Sequence, residues 1–237
     1  MITAIGNNFG AGTITFRGYS SADILVLNGK VDVSASDPAF LAADALEVYL
    51  PDQPMRKSAE TAVYLVMRMQ SSMPHATIVK ARLRGGNTIR IEKCPLYQYY
   101  GDFTLVFACT FVPRGEAGPF TFEGVTPVSA SAEAGEAVAA QSACVVREHW
   151  ASLFVSFSSL HGEEAEEPFS FEVAGLPEDI RAEIPIMICG DISASGTQVM
   201  MAEVTGRRFR IASPGYQFGW PYGTKFLKAF FVRGDVD

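Results

Sequence analysis

Leu46-Glu47-Val48-Tyr49-Leu50-Pro51 and Phe171-Glu172-Val173-Ala174-Gly175-Leu176-Pro177 are the two stretches on which the fold turns. Each reads as an apolar strand that stops at Leu-Pro, because proline cannot donate to a continuing ladder. A short turn and an arginine follow, Arg56 in one stretch and Arg181 in the other. A strand, a stop and a turn that recur in the same form at a long interval predict a repeated unit.

Working outward, the correspondence continues in the same order. Ala81-Arg82-Leu83-Arg84-Gly85 answers Ala202-Glu203-Val204-Thr205-Gly206, and the strand after each glycine contains Arg90-Ile91 or Arg210-Ile211. Pro95-Leu96-Tyr97-Gln98-Tyr99 matches Pro214-Gly215-Tyr216-Gln217-Phe218, and both copies close on Phe-Val, at Phe111-Val112 and Phe231-Val232. Thr15-Phe16-Arg17-Gly18 is set against Thr121-Phe122-Glu123-Gly124, so the offsets run from 106 to 126 residues. The expected organisation is two modules, residues 1–115 and 116–237. The jump in offset assigns the second an Ala/Ser/Glu-rich insertion at about 129–141, read as a flexible loop or a single helical turn.

Local signals are those of strands. Thr88-Ile89-Arg90-Ile91-Glu92 and Ser152-Leu153-Phe154-Val155-Ser156-Phe157-Ser158 alternate as half-buried strands do. Asn28-Gly29, between Ile24-Leu25-Val26-Leu27 and Val31-Asp32-Val33, predicts a tight hairpin. Only Asp37–Leu46 and Pro177–Ala182 suit short helical turns. With 48% apolar and 19% charged residues, and with 17 Phe and 8 Tyr, the chain has the makings of packed cores. The fold class is therefore all-β: two tandem antiparallel β-sandwich domains related by internal duplication.

Charge narrows the partners. Against 19 basic residues stand 26 acidic ones, a formal −7, so a nucleic-acid backbone is not an expected ligand. The start, Met1-Ile2-Thr3-Ala4-Ile5, lacks the basic and apolar regions of a signal peptide, and no apolar run has the length of a membrane span. Cytoplasmic synthesis without membrane insertion is expected. Cys94, Cys109, Cys144 and Cys189 have no C-x-x-C spacing and read as buried free thiols, a disulfide or metal pair being the alternative.

No nucleophile–base motif and no zinc-binding H-E-x-x-H is present, and His75, His149 and His161 stand apart. The chain is read as a non-enzyme with no cofactor, no catalytic residues and no metal site. A glycoside hydrolase needs only two carboxylates that sequence cannot pair, so that class stays open. Glu163-Glu164-Ala165-Glu166-Glu167 is read as a solvated loop, with calcium binding as the alternative. Arg233-Gly234-Asp235 is read as a strand-end turn, since Arg114-Gly115-Glu116 holds the same place in the first module.

The candidate ligand-binding residues are aromatic: Tyr97, Tyr99 and Tyr100 in the first module, and Tyr216, Phe218, Trp220 and Tyr222 in the second. Both groups fall between strands among prolines and glycines. There they either stack on a sugar or anchor a partner, or else cap the end of the fold.

The succession Leu176-Pro177-Glu178-Asp179-Ile180-Arg181, an alternating strand, Gly206, Phe209-Arg210-Ile211 and a final aromatic strand resembles the β-sandwich modules of bacteriophage tail-fibre and baseplate adsorption proteins. In the first copy Leu50-Pro51-Asp52-Gln53-Pro54-Met55-Arg56 carries an extra proline in the turn. The resemblance implies a virion structural protein without enzymatic activity. It further implies a homo-oligomer, with a trimer in view, other virion proteins as partners, and a host-surface glycan as a possible receptor. A tandem carbohydrate-binding protein unrelated to phage is the alternative.

Overall fold

A computed structural model describes residues 1–55, 61–69, 76–93, 101–111, 125–127, 130–132, 137–159, 169–190, 198–211 and 223–234. The chain separates into two compact units, Met1–Thr121 and Phe122–Asp235. Both are all-β and antiparallel.

In the first unit the elements are β1 (Ile2–Thr3), β2 (Gly6–Asn7), β3 (Thr15–Ser20), β4 (Leu25–Val33), α1 (Pro38–Ala42), β5 (Ala45–Tyr49), β6 (Thr61–Met69), β7 (Ala76–Arg84), β8 (Thr88–Glu92) and β9 (Phe103–Phe111). They form one sheet in the order β1-β3-β4-β9-β6-β7-β8-β5-β2. The meander β6-β7-β8, with β9 returning beside β6, is a Greek key. The sandwich thus takes the form of one continuous sheet bent round its core. Strands β1 and β2, at opposite ends of the order, are joined by Ala4 and Ile5 alone, so this one segment straps the two ends together. The Ala4 N–H donates to the Ile14 carbonyl at 2.8 Å, and the Ile5 N–H to the Tyr49 carbonyl at 2.7 Å.

Every strand from β3 to β9 contributes to the core. Phe16, Leu25, Leu27, Leu46, Val48, Leu65, Ile89, Ile91, Phe107 and Phe111 are buried in it. The Phe16 and Phe107 rings meet edge to face at 4.8 Å although β4 lies between their strands, as expected where a sheet curls. The burial of β8 alternates along Thr88–Glu92, and its neighbours pair in step: Leu46 with Ile91 and Val48 with Ile89. Short helix α1 starts where Asp37 Oδ1 accepts from the Ala39 N–H at 2.7 Å and Pro38 occupies the first turn.

The second unit contains β10 (Val125–Pro127), β11 (Ala130–Ala132), β12 (Ala137–Val146), β13 (Trp150–Ser159), β14 (Phe169–Val173), β15 (Arg181–Gly190), β16 (Gln198–Thr205), β17 (Arg208–Ile211) and β18 (Gly223–Val232). Its order, β10-β12-β13-β18-β15-β16-β17-β14-β11, is that of the first sheet with nine added to each strand number. Its core includes Leu153, Val173, Ile184, Phe209 and Phe231. The turn after β7 and the turn after β16 both open on a glycine at φ +58°, Gly85 and Gly206. A side chain is strained in that conformation, which is why glycine stands at both places.

The structure corrects four readings of the sequence. Asn28-Gly29 is not a hairpin: β4 runs straight through it, paired with β9 from Leu25↔Phe111 to Val33↔Phe103. Glycine is needed there for space, because a Cβ at Gly29 would lie 2.9 Å from Phe16 Cδ1. The stretch 129–141 is not an insertion of loop or helical turn. It supplies β11 and the start of β12, which pair with β14 and β13. The counterpart of β3 in the second sheet is accordingly β12, since Ser20 pairs with Leu25 as Val146 pairs with Ala151; Thr121–Gly124, matched to it in the sequence, lies outside the described residues. At Pro177–Ala182 a turn at Glu178 and Asp179 leads directly into β15 in place of a helical turn.

Candidate functional site

The strand directions gather the loops. β4 ends and β9 begins at the pair Val33↔Phe103, β6 ends at Met69↔Phe103, and β8 ends where Glu92 pairs with Ala45, the first residue of β5. The connections β4–β5, β6–β7 and β8–β9 therefore leave one end of the first sheet. By the shared strand order, β13–β14, β15–β16 and β17–β18 leave the corresponding end of the second. The aromatic candidates Tyr97, Tyr99 and Tyr100 belong to the β8–β9 connection. Tyr216, Phe218, Trp220 and Tyr222 belong to the β17–β18 connection, at the same point of the topology. All seven side chains lie outside the described residues, as do Glu163–Glu167, His75 and His161.

The stems of the first aromatic connection are described, and both are clamped. On one side Lys93 Nζ donates to the carbonyls of Phe40 (2.6 Å), Ala43 (2.9 Å) and Leu41 (3.4 Å). Its ammonium also sits 4.4 Å from the centroid of the Phe40 ring. A cation among the carbonyls at the end of α1 is favourable both for charge and for hydrogen bonding. On the other side Asp102 Oδ1 accepts from the Ala35 N–H at 2.9 Å and the Ser34 hydroxyl at 3.1 Å. The two residues hold the connection to the β4–α1–β5 segment from both ends. Beside them α1 presents Leu41, which is 53% exposed.

Sequence reasoning missed Lys93 and Asp102. They are the charged residues that bracket the uncharged stretch Cys94–Gly101, a pattern that marks the stems of a loop once the strands are placed.

Other chemistry-bearing residues are occupied within the fold. Arg233 Nη1 donates to the Arg147 carbonyl at 2.7 Å, and its Nε lies 3.4 Å from the Asp179 carboxylate. The Gly234 N–H donates to Asp179 Oδ2 at 2.8 Å. Arg233-Gly234 thus closes a turn onto Asp179, the arrangement expected of a strand end. Cys109 and Cys144 are buried free thiols; desolvation pushes the Cys144 thiol up to about 11 and holds Cys109 higher still. Cys94 lies outside the described residues, and Cys189 falls in β15. His149 is exposed, 3.8 Å from Glu148. Among the described residues no three His, Cys, Asp or Glu side chains gather as metal ligands, and no helix is long and apolar enough to cross a membrane.

The chain matches no family model, no curated protein and no solved structure. The class that stands is that of an all-β protein of two antiparallel units sharing one strand order.

Proposed function

We propose that this is a non-enzymatic binding and assembly protein of a bacteriophage virion, of the tail-fibre or baseplate kind, which makes its contacts through the loop end of each unit. One observation carries the reading. The same crossover of the same topology bears the aromatic cluster in both units, and in the first its stems are fixed by Lys93 and Asp102. Loops held on a rigid sheet are where binding residues concentrate, and aromatics give large contact area at small entropic cost. The common strand order supports a duplicated origin, and a duplicated module offers two equivalent contacts to a repetitive surface. The alternative, a carbohydrate-binding protein unrelated to phage, uses the same loops.

The test has two arms. Binding of labelled chain to bacterial cells and to a glycan panel is expected to fall about tenfold or more in Tyr97→Ala/Tyr99→Ala/Tyr100→Ala and in Trp220→Ala, with unchanged melting. Binding retained by both variants sinks the loop-end assignment. Mass spectrometry of purified virions from an induced lysate then separates the two readings: the chain among the particle proteins supports the virion role, and its absence from intact particles overturns it.

A further inference from the structure

Asn28-Gly29 is the most reactive backbone pair in the chain, and the fold places it in the middle of a strand. Of the asparagines Asn7, Asn8, Asn28 and Asn87, Asn28 alone precedes a glycine, and the chain contains no Asp-Gly. An asparagine carboxamide carbon lies within reach of the next residue's backbone nitrogen. Glycine, with no Cβ, leaves that approach open and the backbone free to turn towards it.

The sheet holds the pair away from this reaction. Asn28 pairs with Arg17 on β3 and with Ala108 on β9, and Gly29 pairs with Phe107, so β4 is kept extended from both sides. Asn28 is also only 3% exposed. For Gly29 N to meet Asn28 Cγ, the strand has to leave its ladder. Replacing the glycine would remove the hazard, but a Cβ there would lie 2.9 Å from Phe16 Cδ1. Packing therefore retains a labile pair that only the folded state protects. At the same register the second unit carries Phe154-Val155, where this chemistry is absent.

We propose that Asn28-Gly29 is a self-modification site that opens when β4 leaves the sheet and makes unfolding of the first unit irreversible. Gly29 N bonds to Asn28 Cγ and loses its proton, and the side-chain nitrogen leaves as ammonia, closing a succinimide. Water then opens the ring at either carbonyl. Opening at Cγ gives aspartate, which puts a carboxylate at a buried position. Opening at the α-carbonyl gives isoaspartate, with one extra main-chain atom. That atom shifts the strand beyond it against β9, whose ladder runs from Leu25↔Phe111 to Val33↔Phe103, and core residues on one side of it lose their places. Chemical change of the unfolded chain then replaces refolding. The site is independent of the aromatic loops, so its failure leaves the loop-end reading untouched.

Peptide mapping by mass spectrometry, with isoaspartyl methyltransferase labelling, tests this on the full chain at mildly alkaline pH. Conversion at Asn28 is expected to be about tenfold or more faster in guanidinium chloride than in native buffer, because the native sheet opens rarely. Asn7, Asn8 and Asn87 should lag behind it in denaturant. On dilution, the fraction regaining native near-ultraviolet circular dichroism should fall in step with conversion. Asn28→Gln, whose longer side chain must close a six-membered ring, should refold with little loss over the same incubation. If Asn28→Gln does not fold, Asn28→Thr serves in its place, and the wild-type measurements stand without either. Equal conversion in native buffer and denaturant, another asparagine converting first, full refolding of converted chain, or an equal loss in the folded variant each overturns the proposal.

Discussion

Asn8 pairs with Glu47 through both its backbone and its side chain. Its N–H donates to the Glu47 carbonyl at 3.2 Å, and its Oδ1 accepts from the Glu47 N–H at 2.7 Å. Its Nδ2 then donates to the Ala45 carbonyl at 2.9 Å. The carboxamide thereby acts as an extra peptide group and prolongs the two-residue strand β2 along β5. Asn8→Leu removes both side-chain bonds and leaves a backbone donor and acceptor to be satisfied by water. We expect a loss of about 1–3 kcal/mol in urea unfolding. Asn8→Asp, which keeps the acceptor and loses the donor, should fall between Leu and wild type. Equal stability of all three would show that the strap contributes nothing.

Gly29 sits where the Phe16 ring crosses β4. Adding a methyl group 2.9 Å from Phe16 Cδ1 must push the ring or bend the strand. Overpacking of this kind costs about 1–3 kcal/mol. Gly29→Ala should be destabilised by that amount, and pairing it with Phe16→Leu should recover part of the loss in a double-mutant cycle. Strict additivity of the two changes would contradict the packing account.

Asp179 holds the turn at the end of β18 by accepting from the Gly234 N–H and facing Arg233. Asp179→Ala leaves that N–H and the half-buried guanidinium without their carboxylate. A loss of about 1–2 kcal/mol is expected from thermal melts. Arg233→Ala should be non-additive with it, because both act on one turn. Since Arg233 is committed to this turn, integrin-coated surfaces should retain no more wild type than Asp235→Glu.

The buried thiols make stability fall in alkali. Desolvation raises the folded pKa of both Cys109 and Cys144 above their ordinary value, so the folded state binds protons more tightly than the unfolded chain. Their contribution is complete below the unfolded pKa and is lost as pH rises from there, for Cys144 through about 11. Stability measured from about pH 8 upward should therefore decline, and a Cys109→Ala/Cys144→Ala variant should decline less steeply over the same range. Native-state reaction of the two with a thiol reagent should be slow and should speed up with added denaturant.

What was legible in the sequence was set by local chemistry. The alternation of Thr88–Glu92, the stop of β5 at Leu50-Pro51 and the Asp37-Pro38 helix start each follow from a few adjacent residues, and each is found where the pattern puts it, whereas β14 already ends at Val173, ahead of Leu176-Pro177. The misreadings share a different cause. Asn28-Gly29 carries a hairpin signal, yet the glycine answers to Phe16, thirteen residues away in sequence but against it in space. Ala137–Ala140 has little strand propensity of its own, and it is a strand because β13 beside it offers a ladder. Of the candidate site, composition located the aromatics but not their anchors. Lys93 and Asp102 matter through contacts with residues 34–43, which only the topology brings near.

The strap that joins the first and last strands of each sheet bears on how this protein meets others. An open sheet presents rows of unpaired N–H and carbonyl groups, and a partner can bind by adding a strand to them. Here the two ends of each sheet are taken up by a single segment, β1–β2 in one unit and β10–β11 in the other. Backbone recognition by strand addition is thereby blocked where the strap pairs, at Thr15–Phe16 and Val48–Tyr49 in the first unit. Recognition is left to side chains, and a set of side chains can be retuned residue by residue while the closed sheet beneath it stays the same.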